Sequence, residues 1–137
     1  MIVVDSSIAL QWVLPEADAE VAETLLGNPE LIAPDILLIE AANVLAKKVR
    51  GNNSTMDDAI AGLALIEDTV SRFVSSAELA AEALRLSVDI VHPVYDCCFL
   101  ACAIKLGAKL ATRDAPFAGR LVSRGYGDRL HAWSVAP

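Results

Sequence analysis

The stretch Val94-Tyr95-Asp96-Cys97-Cys98-Phe99-Leu100-Ala101-Cys102-Ala103-Ile104-Lys105-Leu106-Gly107, followed at once by Ala108-Lys109-Leu110-Ala111-Thr112, decides the fold. Its first part is apolar around the whole helical circumference. Only Asp96 and Lys105 carry charge, so Val94–Leu106 reads as a central, buried helix. Gly107 is well placed to stop it, because glycine takes the left-handed conformation that ends helices. Lys109–Thr112 then reads as a short strand. A helix feeding a strand is half of a βαβ unit.

The same alternation extends in both directions. Upstream, Arg72–Ser75 reads as a strand and Ala77–Leu86 as a helix. Ile90-Val91 reads as a strand end or an extended link, and His92, before Pro93, as a loop residue. Downstream, Ala115–Arg124 reads as a helix and His131–Ser134 as a last short strand. At the start, Ile2–Val4 is a buried strand. Ser6 or Ser7 caps an apolar helix that ends near Pro15. Ala17–Leu26 carries Val21, Ala22, Leu25 and Leu26 at helical spacing, and Leu31–Ala33 is a strand. Asp35 opens a helix running to about Arg50, Gly51-Asn52-Asn53-Ser54 is a turn, and Thr55 caps the next helix, with Asp57 and Asp58 in its first turn. Strands separated by helices imply parallel pairing and an α/β domain of three layers. The 137 residues suit a single domain, 1–137, without repeats or linkers.

The chain is 55% hydrophobic, with a mean hydropathy of +0.47. No apolar run approaches the roughly 20 residues that span a bilayer, and no leader-like segment opens the chain. A cytoplasmic protein with no membrane segment is therefore expected. The apolar surplus fits a buried parallel sheet plus an oligomer interface, so a homodimer is expected. Cys97, Cys98 and Cys102 share one helix and have no distant partner, which reads as small core residues in a reducing compartment. The net charge of −7 argues against a generic nucleic-acid binder, yet it is uneven. Lys105, Lys109, Arg113, Arg120, Arg124 and Arg129 face only Asp114 and Asp128 in their segment, and Lys47, Lys48 and Arg50 form a second basic group. Such charges are either solvated helix faces or a rim that holds phosphates.

Four acids stand at the ends of apolar elements. Asp5 leaves the first strand, Asp114 follows Lys109–Thr112, Asp96 opens the central helix, and Glu40 shares a polar strip with Asn43 and Lys47 on an otherwise apolar helix. Each has an ordinary reading: Glu40 as a solvated residue, Asp96 as a helix cap. Together they point further. In an open parallel sheet the carboxyl ends of strands form one rim, which gathers Asp5, Asp96 and Asp114, with Glu40 a turn deeper. Two carboxylates ~4 Å apart repel by about 4 kcal/mol at an effective dielectric near 20. Several such pairs would consume much of a typical stability of about 5–15 kcal/mol. A cluster of this kind must bind protons or a cation, and an all-oxygen site suits Mg²⁺ or Mn²⁺. Zinc is disfavoured, since His92 and His131 lack ligand-like spacing.

Across its whole length the chain resembles the PIN domain, in particular the VapC toxins of VapBC toxin–antitoxin systems. The resemblance rests on Val3-Val4-Asp5-Ser6-Ser7, on Ala33-Pro34-Asp35 leading to Glu40-Ala41-Ala42-Asn43-Val44-Leu45, on Tyr95-Asp96 with Leu100-Ala101, and on Leu110-Ala111-Thr112-Arg113-Asp114 before Phe117. No single piece is specific; the four in order are. The small residue common after Asp96 is here Cys97. The resemblance implies that Asp5, Glu40, Asp96 and Asp114 are the catalytic, metal-binding constellation, with Ser6 or Ser7, Asn43 and Thr112 in support. It also implies a five-stranded, mainly parallel sheet, a homodimer and a VapB-type antitoxin. The expected activity is Mg²⁺- or Mn²⁺-dependent hydrolysis of RNA phosphodiesters, as an endoribonuclease toxin of a type II system. Asp5 and Asp96 are the expected direct ligands, Asp114 binds directly or through water, and Glu40 holds a second ion or orients water. Lys47, Arg113 and Arg120 are candidate RNA contacts, and an inserted Arg or Lys of the antitoxin would compete with metal.

Two alternatives belong to other classes. A Mg²⁺-dependent phosphotransfer domain needs a second acid beside Asp5, but position 7 is Ser and Asp5 stands alone. A catalytically silent PIN-like module would bind protein or RNA without cleaving it.

Overall fold

In the computed structural model, residues 1–14, 19–28 and 30–132 are described. Four short strands, β1 (Ile2–Val4), β2 (Leu31–Pro34), β3 (Arg72–Val74) and β4 (Lys109–Ala111), form one sheet in the order β3-β2-β1-β4. Every pairing is parallel; Val3 lies opposite Ile32 and Leu110, and Ala33 opposite Phe73. All four residues of β2 are buried, as expected for a strand covered on both faces.

Helices cover both faces. The chain order is α1 (Ser6–Val13) and α2 (Ala19–Glu23) after β1, α3 (Ile36–Arg50) and α4 (Met56–Thr69) after β2, and α5 (Ser76–Ile90) and α6 (Val94–Leu106) after β3. Beyond β4 come α7 (Ala115–Ser123) and a 3₁₀ turn at Gly127–Arg129. α1 packs on α3 and α4, while α6 lies against β1, β2 and β4 with α5 along it. Cys97 through Ala103 are all buried, so α6 is the central helix its composition implies. The three thiols are free, and burial pushes Cys97 and Cys98 up to about 11 and Cys102 to about 12, which keeps them protonated core groups. Among the described residues no single helix is long and apolar enough to cross a membrane.

The α/β class and the parallel sheet are as the sequence implies, with differences in detail. The fifth strand is reduced, among the described residues, to one parallel bridge between Leu110 and Leu130, extended by His131 N–H donating to the Leu110 carbonyl at 2.8 Å. Residues 133 and 134 of the expected strand His131–Ser134 lie outside the described residues, as do Pro15 and residues 17 and 18 of the expected helix Ala17–Leu26, which is described as α2. The α1 cap is Asp5 and not Ser6 or Ser7, because β1 ends at Val4 and the helix begins one residue earlier than expected. α5 continues to Ile90, so Ile90-Val91 is no strand; Val91 ends the helix in the left-handed conformation, φ 54°. Asp35 occupies the cap position of α3 without a capping bond; its Oδ1 accepts from Ser76 N–H at 3.0 Å, tying β2 to the start of α5.

Candidate active site

The carboxyl ends of β1 and β4 are adjacent, and the loops that leave them are stitched together by Ser7. Ser7 Oγ donates to Asp5 Oδ1 at 2.5 Å, accepts from Arg113 N–H at 2.8 Å and lies 3.4 Å from Thr112 Oγ1. Asp5 Oδ1 also accepts from Ile8 N–H at 3.2 Å, capping α1, and Thr112 hydrogen-bonds the same carboxylate. Thr112 Oγ1 in turn accepts from Asp114 N–H at 3.0 Å, and Asp114 Oδ1 accepts from Phe117 N–H at 3.0 Å, capping α7. Ser7 and Thr112 therefore both hold the Asp5 carboxylate through their hydroxyls. One chain of hydrogen bonds links Asp5 to Asp114.

Asp5 is buried at 6% exposure. Burial raises its pKa from 3.8 to about 6, with the Asp96 charge adding to the rise, against hydrogen bonds from Ser7, Thr112 and Ile8 that lower it. Glu40, half-buried on α3, accepts from Ser6 Oγ at 3.3 Å. Its pKa rises from 4.5 to about 7, first through burial, then through the charges of Asp96 and Asp5, with the Ser6 bond opposing. The Asp96 charge thus reaches Asp5, and those of Asp96 and Asp5 reach Glu40. Asn43 is exposed and lines a shallow groove with Glu40, Ile36, Ile39 and Tyr95.

Asp96 is not a helix cap. The cap position of α6 is Pro93, with no side-chain cap bond, and Asp96 stands in the first turn. Its Oδ2 lies 2.7 Å from His92 Nε2. From sequence His92 reads as a plain loop residue; its place four residues before Asp96 is the only trace of this contact in the sequence. Lys47 is exposed on the last turn of α3 and Arg120 on that of α7, while Arg113 is partly buried beside Asp114. A separate apolar groove between α3 and α4, lined by Leu45, Val49, Met56, Ile60 and Leu63, carries none of these acids.

Among the described residues, no three His, Cys, Asp or Glu side chains stand together as a ready metal cage. The donor chemistry nevertheless fits a hard divalent cation. Asp5, Glu40 and Asp96 offer only oxygens, and a cation would offset both the burial that chiefly raises Asp5 and Glu40 and the neighbouring charges that add to it.

The PIN domain family model matches residues 2–119. Ribonuclease VapC3 of Pyrobaculum aerophilum is 32% identical over 120 residues, covering 85% of this chain and 92% of that protein. The crystal structure of PAE2754, also from Pyrobaculum aerophilum, superposes with a TM-score of 0.71 at 20% identity, covering 87% of this chain and 78% of the other, a likeness of fold.

Proposed function

The chain belongs to the PIN domain family, and from that premise we propose that it is a ribonuclease, the toxin of a VapBC-type pair, cleaving RNA phosphodiesters with a divalent cation held by Asp5, Asp96 and Glu40. The observation that carries the reading is the hydrogen-bonded junction at the carboxyl ends of β1 and β4, where Ser7 and Thr112 tie buried Asp5 to Asp114, with the charges of Asp96 and Asp5 reaching half-buried Glu40. Carboxylates perturbed by burial and by a specific charged neighbour cluster at functional sites, and open parallel sheets bind ligands beyond the carboxyl ends of their strands.

A bound Mg²⁺ or Mn²⁺ would lower the pKa of a coordinated water and screen the charge that develops on the phosphate. The protein's own groups supply the rest. Ser7 and Thr112 fix the Asp5 carboxylate, which is what well-placed supporting hydrogen bonds do for ligands. Glu40, half-buried and bonded to Ser6 Oγ at 3.3 Å, would help hold the cation or orient the attacking water. Asp114 caps α7 through Oδ1 and completes the constellation through its link to Thr112. Arg113, Arg120 and Lys47 would contact the RNA backbone, and Asn43 would hold the groove beside Glu40. A VapB-type antitoxin would close the acidic centre with a basic side chain. A homodimer is supported by the exposed apolar residues Ile39, Leu84, Val88, Val91 and Tyr95.

The test is cleavage of structured RNA by the purified protein with Mn²⁺, with EDTA, and with Asp96→Asn. Cleavage that EDTA stops, that Mn²⁺ restores and that Asp96→Asn abolishes is the expected result. RNA retained but never cut would instead identify the silent binding module.

A further inference from the structure

We propose that His92 is a positioning residue for Asp96, one that couples Asp96 to the Asp114-capped start of α7. The inference rests on the ribonuclease reading above and adds a residue to it. The geometry is unusually restrained for a three-residue loop between helices. His92 N–H donates to the Ser87 carbonyl at 3.2 Å, and the His92 carbonyl accepts from Ser87 Oγ at 2.6 Å and from Cys97 Sγ at 3.8 Å. One serine therefore clamps both sides of the His92 backbone. On either side the chain is also constrained. Pro93 disfavours a helical conformation at His92. Val91 is held at φ 54°, a left-handed conformation that β-branched residues adopt only under constraint.

The side chain uses this fixed backbone twice. Its Nε2 meets Asp96 Oδ2 at 2.7 Å, with His92 side-chain exposure of only 15%. Its ring face lies on Phe117, centroids 4.7 Å apart and planes 22° from parallel. Phe117 is fully buried, and its backbone N–H is the one that Asp114 caps. The ring thus stands between two of the four acids, donating to one and packing on the residue that the other holds. With Oδ2 engaged by His92, Asp96 is oriented about its side-chain torsions, and Oδ1 is the oxygen left for a cation. A histidine that holds a ligating carboxylate in this way influences metal affinity without touching the metal.

Three variants separate the parts. His92→Phe keeps a ring against Phe117 and removes the donor. His92→Gln keeps a donor and removes the ring that stacks on Phe117. Asp96→Asn controls for the site itself. Mn²⁺ binding by titration calorimetry, kcat and KM for RNA, and Tm are measured for each. His92→Phe should weaken Mn²⁺ binding by roughly 10-fold or more and lower kcat, with KM for RNA and Tm close to the parent. His92→Gln should recover most of both losses. Parent-like Mn²⁺ affinity and kcat in His92→Phe would overturn the proposal. So would equal losses in His92→Phe and His92→Gln accompanied by a falling Tm, because that pattern marks a purely structural residue. Parent-like Mn²⁺ binding and cleavage in Asp96→Asn would instead overturn the ribonuclease site on which the proposal rests.

Discussion

Asp5 caps α1 and is buried, and these roles make opposite demands on its charge. Capping favours an acceptor at the helix start, where the dipole also favours negative charge. Burial, with the Asp96 charge nearby, opposes ionisation and wins, lifting the pKa from 3.8 to about 6. The sign for stability follows. A folded-state pKa above the unfolded value gives stability that is complete below about pH 4 and is lost as pH rises through about 6. A shift of this size corresponds to about 3 kcal/mol for a buried group. Asparagine caps helices as well as aspartate does and carries no charge. Metal-free Asp5→Asn should therefore be more stable than the parent at pH 8 by about 1–3 kcal/mol, and equal to it near pH 4. Urea unfolding at both pH values measures the difference; a parent that is the more stable protein at pH 8 would refute the burial argument. The same variant should lose cleavage, so a gain in stability and a loss of activity would appear together, the usual relation at a strained site.

At the scale of elements, α5 and α6 end alike in backbone and unlike in chemistry. Gly107 closes α6 at φ 63°, and Val91 closes α5 at φ 54°. Left-handed backbone costs a non-glycine residue roughly 1–2 kcal/mol. A side chain added at Gly107 meets no atom within 4 Å, so Gly107→Ala should cost only this conformational term, about 1 kcal/mol. Val91→Gly should do the reverse and raise stability by up to about 1 kcal/mol, since Val91 is exposed and loses little packing. Thermal unfolding of the two variants should move in opposite directions; movement together would mean that the caps are not governed by backbone strain.

The same pair explains what the sequence discloses. Val94–Leu106 was legible to the residue, because Pro93 and Gly107 punctuate it and its apolar circumference admits no other place than the core. The end of α5 was not legible. Nothing in Ile90-Val91 signals a stop, and the helix ends there because Ser87 grips the backbone of His92. Asp5 and Asp114 were legible as strand-end residues, and Ser7 and Thr112 as their neighbours. His92 was not, since its value depends on a loop folding back over the first turn of α6. The helix bounds already leave the cap position to Pro93 but do not disclose the bond between His92 and Asp96 in the first turn.

For the whole molecule, the net charge of −7 must be reconciled with an RNA substrate. Local charge decides the matter, because screening confines the influence of distant surface acids to about 8–10 Å at ordinary salt. Arg120 and Lys47 are exposed and can release counterions on binding. Replacing either with alanine, in a background carrying Asp96→Asn to prevent cleavage, should weaken RNA binding and reduce its salt slope by about 1; filter binding across a salt series reads this directly. The apolar surface raises a second question at this scale. On α5, Leu84, Val88 and Val91 lie at spacings of four and three, forming one stripe, and they are 61%, 72% and 59% exposed. Ile39 on α3 and Tyr95 on α6 add two more exposed apolar groups, each next in sequence to a site acid. Exposed apolar groups in this number are costly to leave in water and are commonly covered by a second copy. A charge at its centre should prevent that association without disturbing the core, because Val88 is on the surface. The parent should sediment at twice the 14.5 kDa chain mass, and Val88→Glu at the chain mass with an unchanged far-ultraviolet spectrum. A parent that is monomeric throughout the micromolar range would remove the dimer. Because Ile39 adjoins Glu40 and Tyr95 adjoins Asp96, the cleavage rate of a monomeric Val88→Glu also discriminates further. A retained rate places the whole active centre within one chain, and a lost rate makes the second copy part of it.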